Sequence, residues 1–106
     1  MSDEEYMKML YNFNHTFDGK TILIIQWSNG LKVKCLSVTG VAETDIEPDE
    51  EEYAGEYDAY VEVIEYLEPA KDDSITIYKD NIEICMKSIP EEIALEDGTV
   101  LWARGR

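Results

Sequence analysis

One stretch of the sequence concentrates side chains that could bind a cation or a basic protein. Residues 43–58 contain nine of the chain's 24 acidic residues and neither lysine nor arginine. Tyrosines are interleaved with these acids and continue just beyond them. Carboxylates steer a cationic partner towards a surface, and tyrosines supply contact area with a polar tip. The stretch therefore predicts a docking face for a protein rich in lysine and arginine.

We predict that ten acidic and aromatic residues form this face. They are Glu47, Asp49, Glu50, Glu51, Glu52, Tyr53, Glu56, Tyr57, Asp58 and Tyr60. The alternative interpretation is a solvated loop whose charge only keeps the protein in solution. Small acidic proteins that inhibit nucleic-acid-binding proteins use the same physics, because their carboxylates occupy the phosphate positions. The functional hypothesis is therefore a charge-mimic inhibitor or an immunity-type protein with a basic protein partner.

The same acids also occur at the spacing of a calcium loop. Six residues fall on the liganding positions of an EF-hand-like loop: Asp45, Glu47, Asp49, Glu51, Tyr53 and Glu56. However, Glu50 stands where such a loop needs glycine for its sharp turn, and Pro48 interrupts the run. The flanking elements are predicted to be strands, not helices. We therefore expect no specific metal site and no cofactor.

The sequence offers no arrangement of residues that is typical of catalysis. The single histidine, His15, lies in a predicted loop without a recognisable cysteine or serine partner. A glycine-rich phosphate loop, a Cys-x-x-Cys pair and a nucleophile elbow are all absent from the sequence. Cys35 and Cys85 are predicted to be buried, unpaired thiols. We therefore predict a protein that is not an enzyme; a ligand pocket involving Trp27 and Trp102 is the least favoured alternative.

The overall charge argues against nucleic acids and membranes as partners. The 106 residues carry 24 acidic and 9 basic side chains, which gives a formal net charge of −15. Phosphates of nucleic acids and anionic membrane surfaces repel such a chain. Residues 1–5 are acidic, unlike the start of a secretory signal, and no apolar stretch reaches the ~20 residues of a membrane helix. We expect one domain over residues 1–106, located in the cytoplasm.

A helix is predicted before the acidic stretch, over residues 2–13. Ser2 followed by Glu5 forms a capping box, which is typical of a helix N-terminus. Apolar residues then recur every three or four positions, at Tyr6, Met9, Leu10 and Phe13. We expect this stripe to pack on the core, and the alternative is that it enters a groove on a partner.

Six strands are predicted between residues 20 and 103. They cover residues 20–27, 31–39, 57–67, 74–78, 82–86 and 99–103. Residues 28–30 (Ser-Asn-Gly) predict a hairpin with a type I′ turn, and residues 79–81 predict another tight turn. The second strand changes its apolar parity between Cys35 and Leu36, which indicates a β-bulge or a sharp bend. Residues 88–91 have the capping pattern of a short helical turn.

The connections between these strands are short, apart from the acidic loop at residues 43–56. Short connections without crossover helices favour antiparallel pairing. We therefore expect a mainly β fold, in which the N-terminal helix precedes a small antiparallel, strongly bent sheet of five to six strands. A second strand that bends this strongly also allows a partly open barrel of the SH3 or Sm type.

The order of elements resembles the Sm/Lsm family over roughly residues 3–89. The resemblance lies in the N-terminal helix, residues 19–24 as first strand, the turn at 28–30 and the bent second strand. Residues 75–84 stand where that family has its closing strand pair. The resemblance implies a small barrel that can pair its edge strands with other copies. It does not imply RNA binding, because residues 40–43 lack the Asp and Asn that the family's RNA pocket has after the second strand, and residues 79–81 lack its Arg-Gly.

Two functional hypotheses follow from these observations. The first is a non-catalytic interaction module whose acidic loop binds a basic protein, with an affinity that falls steeply with salt. The alternative is an Sm-like structural oligomer without RNA binding, in which edges around residues 74–87 pair between subunits. The net charge of −15 opposes self-association unless the acidic loops point outwards.

Overall fold

A computed structural model describes residues 3–12, 18–43, 47, 49–51, 53 and 55–104. Its elements are α1 (Asp3–Asn12), β1 (Ile22–Gln26), β2 (Lys32–Glu43), β3 (Tyr57–Glu68), β4 (Asn81–Ile84), β5 (Glu92–Leu95) and β6 (Val100–Ala103). The strands form one antiparallel sheet in the order β4-β3-β2-β1-β5-β6. Within the described residues no pairing joins β4 to β6, so the sheet is not closed into a barrel. The predicted mainly β fold is confirmed in its open-sheet form.

The helix α1 packs on the sheet through the apolar stripe that the sequence predicts. Tyr6 and Leu10 are fully buried, and Met9 packs against the core. The Tyr6 hydroxyl donates a hydrogen bond of 3.0 Å to the main-chain carbonyl of Cys85, just after β4. The Tyr6 ring lies 5.4 Å from the ring of Trp102 on β6. The stripe therefore contacts Trp102 on β6 and Cys85 just after β4, the two outermost strands. This confirms the prediction that the helix packs on the core.

The β1–β2 hairpin is present, but its turn differs from the predicted type I′. The main-chain N–H of Trp27 donates to the carbonyl of Leu31 at 2.9 Å, which encloses a loop of residues 28–30. Only Gly30 in this loop has a positive φ, at +92°. This is the usual geometry of a three-residue hairpin loop that ends in a left-handed glycine. The type I′ turn is wrong because Asn29 does not adopt a positive φ.

A two-residue turn with positive φ at both positions occurs instead at Lys79 and Asp80. Their φ angles are +50° and +63°. Tyr78 and Asn81 exchange main-chain hydrogen bonds across this turn, at 3.0 and 2.9 Å. The predicted tight turn is therefore confirmed. The predicted strand at residues 74–78 is wrong, because only an isolated bridge between Tyr78 and Asn81 forms there.

Residues 92–95 form a strand that the sequence analysis did not predict. This strand, β5, pairs with β1, and Ile93 is fully buried opposite Ile25. The N–H of Glu91 donates to the carbonyl of Gln26 at 2.7 Å, which leads the chain directly into the sheet. The predicted short helical turn at residues 88–91 is therefore wrong, because burial and sheet pairing outweigh a local capping pattern.

The predicted irregularity of the second strand is confirmed. The pairing of β2 with β3 shifts register at several points, including between Lys34 and Cys35. The buried face nevertheless continues through Val33, Cys35 and Ser37, whereas Leu36 is only half-buried. The predicted bulge is therefore present in the ladder, and the side chain of Val38 lies outside the described part of the strand.

Candidate functional site

A groove of about 630 Å³ lies between α1 and the end of the acidic segment, which comprises residues 43–58. Its lining is Glu4, Met7, Lys8 and Tyr11 from α1, Tyr53, Gly55, Glu56 and Tyr57 from the acidic segment, and Met86 from the turn after β4. Binding sites of this volume accommodate a side chain together with its neighbours or a small ligand. Apolar sulfur groups, aromatic rings and carboxylates therefore meet at one surface feature.

The helix contributes a second face to this groove, beside its buried stripe. Glu4, Met7, Lys8 and Tyr11 are separated by three or four residues, so they project from one side of α1. No role is predicted for these residues from the sequence, because the charged residues Glu4 and Lys8 make this side of α1 resemble an ordinary solvated face. The pair of Met7 and Tyr11, one helical turn apart, is the sequence signal that could have identified the groove.

Gly55 allows the acidic segment to approach α1 closely. Its φ is +107°, which side-chain-bearing residues rarely adopt. A Cβ atom at this position would lie 2.7 Å from Met86 Cγ and 3.0 Å from Met7 Sδ. Two residues later, the N–H of Tyr57 donates to Met7 Sδ at 3.4 Å. The glycine therefore lets both methionines pack against the main chain, and this places Tyr57 at the groove.

Two tyrosines from different elements form one wall of the groove. The rings of Tyr11 and Tyr57 lie 5.2 Å apart between centroids, with planes inclined by 45°. Tyr11 is 52% exposed, so much of its ring remains available for contact with another molecule. Desolvation raises the pKa of the Tyr57 hydroxyl, and the charges of Glu56 and Glu43 raise it further. The aromatic wall therefore lies in a negative electrostatic environment.

Main-chain hydrogen bonds shape the acidic segment next to the groove. The N–H of Glu50 donates to the carbonyl of Glu47 at 3.0 Å, and the N–H of Tyr53 donates to the carbonyl of Glu50 at 3.1 Å. The ammonium group of Lys87 donates to the main-chain carbonyl of Glu51 at 3.0 Å. Because Lys87 binds a carbonyl oxygen, this contact does not neutralise the Glu51 carboxylate. Glu47, Asp49, Glu50, Glu51 and Glu56 are all exposed.

The basic residues that form ion pairs lie away from the acidic segment. Lys34 contacts Glu65 at 3.7 Å and Glu96 at 3.2 Å, and Arg104 contacts Glu91 at 3.9 Å. Among the residues that the structure describes, these three ion pairs include no carboxylate of the acidic segment. The exposed carboxylates that the structure describes in this segment therefore face solvent; they are those of Glu43, Glu47, Asp49, Glu50, Glu51 and Glu56.

Two of the predicted docking residues lie on a different face of β3 from Tyr57. Ala59 and Val61 are buried, and strand alternation therefore turns Asp58 and Tyr60 to the outer face. The Tyr60 hydroxyl donates to Glu83 Oε2 at 3.4 Å. Burial is the main cause that raises the pKa of Asp58 to about 7. A hydrogen bond with Glu83 and the negative charge of Glu83 raise it further.

The structure therefore divides the ten predicted docking residues into two sets and leaves one undescribed. Tyr53, Glu56 and Tyr57 line the groove, with Glu47, Asp49, Glu50 and Glu51 on the segment leading to it. Asp58 and Tyr60 belong to the outer face of the sheet, and Glu52 lies outside the described residues. Met7, Tyr11, Gly55 and Met86 are site residues that the sequence analysis missed.

The two thiols are buried, and their pKa values are raised. Cys35 and Cys85 are buried and unpaired, as predicted. Burial raises the pKa of Cys35 to about 12 and is the main cause of the rise to about 11 for Cys85. In the described part of the chain, no group of three or more His, Cys, Asp or Glu residues could hold a metal ion. Ser2, Phe13, His15, Asp45 and Pro48 lie outside that part, so the absence of a metal site stays a prediction.

Among the residues that the structure describes, no helix is long and apolar enough to cross a membrane.

The fold and the groove define a small, acidic, mainly β protein with an open groove beside its acidic segment. A family model described as cognate immunity protein YxxD matches residues 1–106, which is the whole chain. The chain belongs to this family. Membership supports an immunity-type role that is carried out through interaction with a protein, as the sequence analysis predicted. Searches of the curated proteins and of the solved structures found no match. The Sm/Lsm resemblance stays a prediction.

Proposed function

We propose that this chain is a non-catalytic immunity protein that binds a cationic surface of its cognate toxin through the acidic segment and the adjoining groove. The observation that carries the proposal is the meeting of exposed, internally unpaired carboxylates with three tyrosines at one groove. The family match supports the immunity role, and the charge distribution supports the nature of the partner surface.

The electrostatic part of the proposal concerns association. A net charge of −15, of which a large share lies in one segment, produces a directional negative potential. Such a potential accelerates encounter with a basic protein and disfavours nucleic acids as partners. Because Lys87 binds the main chain of Glu51 and not its carboxylate, the Glu51 carboxylate stays exposed to a partner.

The aromatic part of the proposal concerns the lifetime of the complex. Tyrosines bury a large area with few rotatable bonds, and they are common among the residues that dominate binding energy. Tyr11 lies on α1, whereas Tyr53 and Tyr57 lie in the acidic segment. All three tyrosines line the groove. Gly55 and Met7 fix the main chain beside Tyr57, so part of the ordering cost of binding is already met.

The test is to express the products of the genes adjacent to the one for this chain as toxin candidates, and to measure whether this chain binds the toxin and protects cells that express it. Variant one carries Glu47→Gln, Glu50→Gln and Glu51→Gln. The matched control carries Glu62→Gln, Glu68→Gln and Asp73→Asn, which are also exposed and change the net charge equally. At about 0.5 kcal/mol for each exposed charge pair, variant one should bind about tenfold more weakly.

The salt dependence of binding separates the proposed mechanism from a general effect of charge. Variant one should lose much of the decrease in association rate that added salt causes in the wild type, whereas the control should keep it. Equal weakening in the two variants, or none in either, would contradict docking through the acidic segment. Failure of the unaltered chain to bind the toxin would contradict the proposed function itself.

Two further expectations accompany this proposal. An Sm-like oligomer would expose the short edge strands β4 and β6 to other copies, and light scattering would then give a multiple of 12.2 kDa. The cytoplasmic location, the lack of a cofactor and the basic nature of the partner likewise stay predictions.

A further inference from the structure

We propose that the groove between α1 and the acidic segment is a socket for an arginine side chain of the toxin. This inference rests on the proposed function, and it names the chemical group that the groove selects. The lining combines methionine side chains, tyrosine rings and carboxylates in one groove of about 630 Å³.

The aliphatic part of arginine matches the methionine part of the groove. Met7 and Met86 both line the groove and converge on the main chain at Gly55. The methylene stem of an arginine packs well on such flexible, polarizable groups while its charged end remains near polar ones. A short acidic side chain would offer no stem for these contacts.

The guanidinium part of arginine matches the rings and the carboxylates. A planar guanidinium stacks on aromatic faces and also forms paired hydrogen bonds with a carboxylate. The rings of Tyr11 and Tyr57 are inclined by 45°, and Tyr11 remains 52% exposed, so a flat cation can lie against this wall. Glu4 and Glu56 bring carboxylates from the two sides of the groove.

The charges around the groove favour a cation over other occupants. The lining contains two acidic residues, Glu4 and Glu56, and one basic residue, Lys8, which lies one helical turn from Glu4 on α1. Glu43 adds negative charge near the Tyr57 hydroxyl. A lysine ammonium would satisfy the charge but would lack the planar fork that can stack and pair at the same time. Arginine is therefore the occupant that uses every chemical group of the lining.

The experiment is an NMR titration of the full chain with N-acetyl-arginine methylamide. N-acetyl-citrulline methylamide, a neutral analogue of the same shape, and N-acetyl-lysine methylamide are the comparison probes. The arginine probe should shift the amide signals of Tyr11, Tyr57 and Met86. Loss of the cation should weaken binding by about tenfold for the citrulline probe, and the lysine probe should lie between the two.

Variants distinguish a binding role from a structural one. Tyr11→Ala should weaken binding of the arginine probe by about fivefold, whereas Tyr11→Phe should retain it because the ring face is kept. Tyr78→Ala is the matched control, since Tyr78 is 69% exposed and lies outside the groove. Equal binding of the citrulline and arginine probes, or shifts centred away from the groove, would overturn the proposal.

The two proposals fail in distinguishable ways. If the toxin binds and protection depends on the acidic segment, but the arginine probe does not bind at the groove, the socket is wrong and the proposed function stands. If the toxin does not bind at all, the proposed function is wrong and the socket loses its partner.

Discussion

Replacing Gly55 with alanine tests whether the groove depends on the close approach of the acidic segment to α1. The residue combines a φ of +107° with two methionine neighbours at 3.0 Å or less from an added Cβ. An unfavourable φ costs about 1–3 kcal/mol. Forcing a methyl group into a packed site costs a further ~1–3 kcal/mol. We therefore expect Gly55→Ala to lower the free energy of unfolding by about 2–6 kcal/mol.

Gly98→Ala is the control that isolates the packing contribution. Gly98 has a similar φ of +96°, but an added Cβ would meet no atom within 4 Å. The two variants share the backbone cost, so their difference of about 1–3 kcal/mol reports the contact with Met7 and Met86. Equilibrium unfolding in urea measures both values, provided that the slopes of the transitions agree.

A double variant makes the reasoning refutable at the contact itself. Met86 Cγ is the nearest atom to the added methyl group, at 2.7 Å. In Gly55→Ala combined with Met86→Ala, the loss of stability should be smaller than the sum of the two single losses. If the losses are additive, or if Gly55→Ala costs no more than Gly98→Ala, the close approach does not hold the acidic segment on α1.

The remaining predictions concern two polar contacts. Because the folded pKa of Asp58 is raised to about 7, the folded state binds a proton that the unfolded state has released, and stability falls as the pH rises from about 4 to 7. Asp58→Asn should flatten this fall and be more stable than the wild type at pH ~8, as measured by urea unfolding over a pH series. Tyr6→Phe should cost about 1 kcal/mol, because it removes a buried hydrogen bond of 3.0 Å to the Cys85 carbonyl, which then accepts only from the N–H of Ser88; thermal unfolding measures this loss.

Each of these predictions has a matched control on the exposed face of β3. Glu62→Gln removes an exposed carboxylate from the same strand as Asp58 and is the control for the loss of one acidic side chain. Tyr66→Phe removes an exposed hydrogen bond of 2.8 Å to Asp80 and should cost far less than Tyr6→Phe. A control that behaves like its partner variant would contradict the corresponding argument.

Local patterns predicted the elements whose own residues carry a clear periodicity. Tyr6, Met9 and Leu10 repeat at helical spacing, and the helix packs through them. The runs at β1, β2 and β3 are apolar and β-branched, so their strands follow from composition and alternation. The acidic cluster is also evident from the sequence alone, because it is a run of acidic residues along the chain.

Long-range pairing decided the elements for which the local pattern allowed two outcomes. Residues 88–91 resemble a helix start, but β1 offers a partner for the following strand, and Ile93 is buried there. Residues 74–78 alternate like a strand, yet no neighbouring strand pairs with them beyond the bridge at Tyr78. A single sequence does not show which partner is within reach.

The acidic composition, the apolar stripe of the helix and the mainly β class can all be read along the chain, because each depends on composition or on neighbouring residues. Which acidic and aromatic residues lie together follows from the packing of distant segments. Strand alternation turns Tyr57 towards α1 and Asp58 to the outer face, although they are adjacent in sequence. The left-handed main chain at Gly55 then brings Met7, Tyr11 and Met86 to Tyr57, and contacts of this range have no local signal.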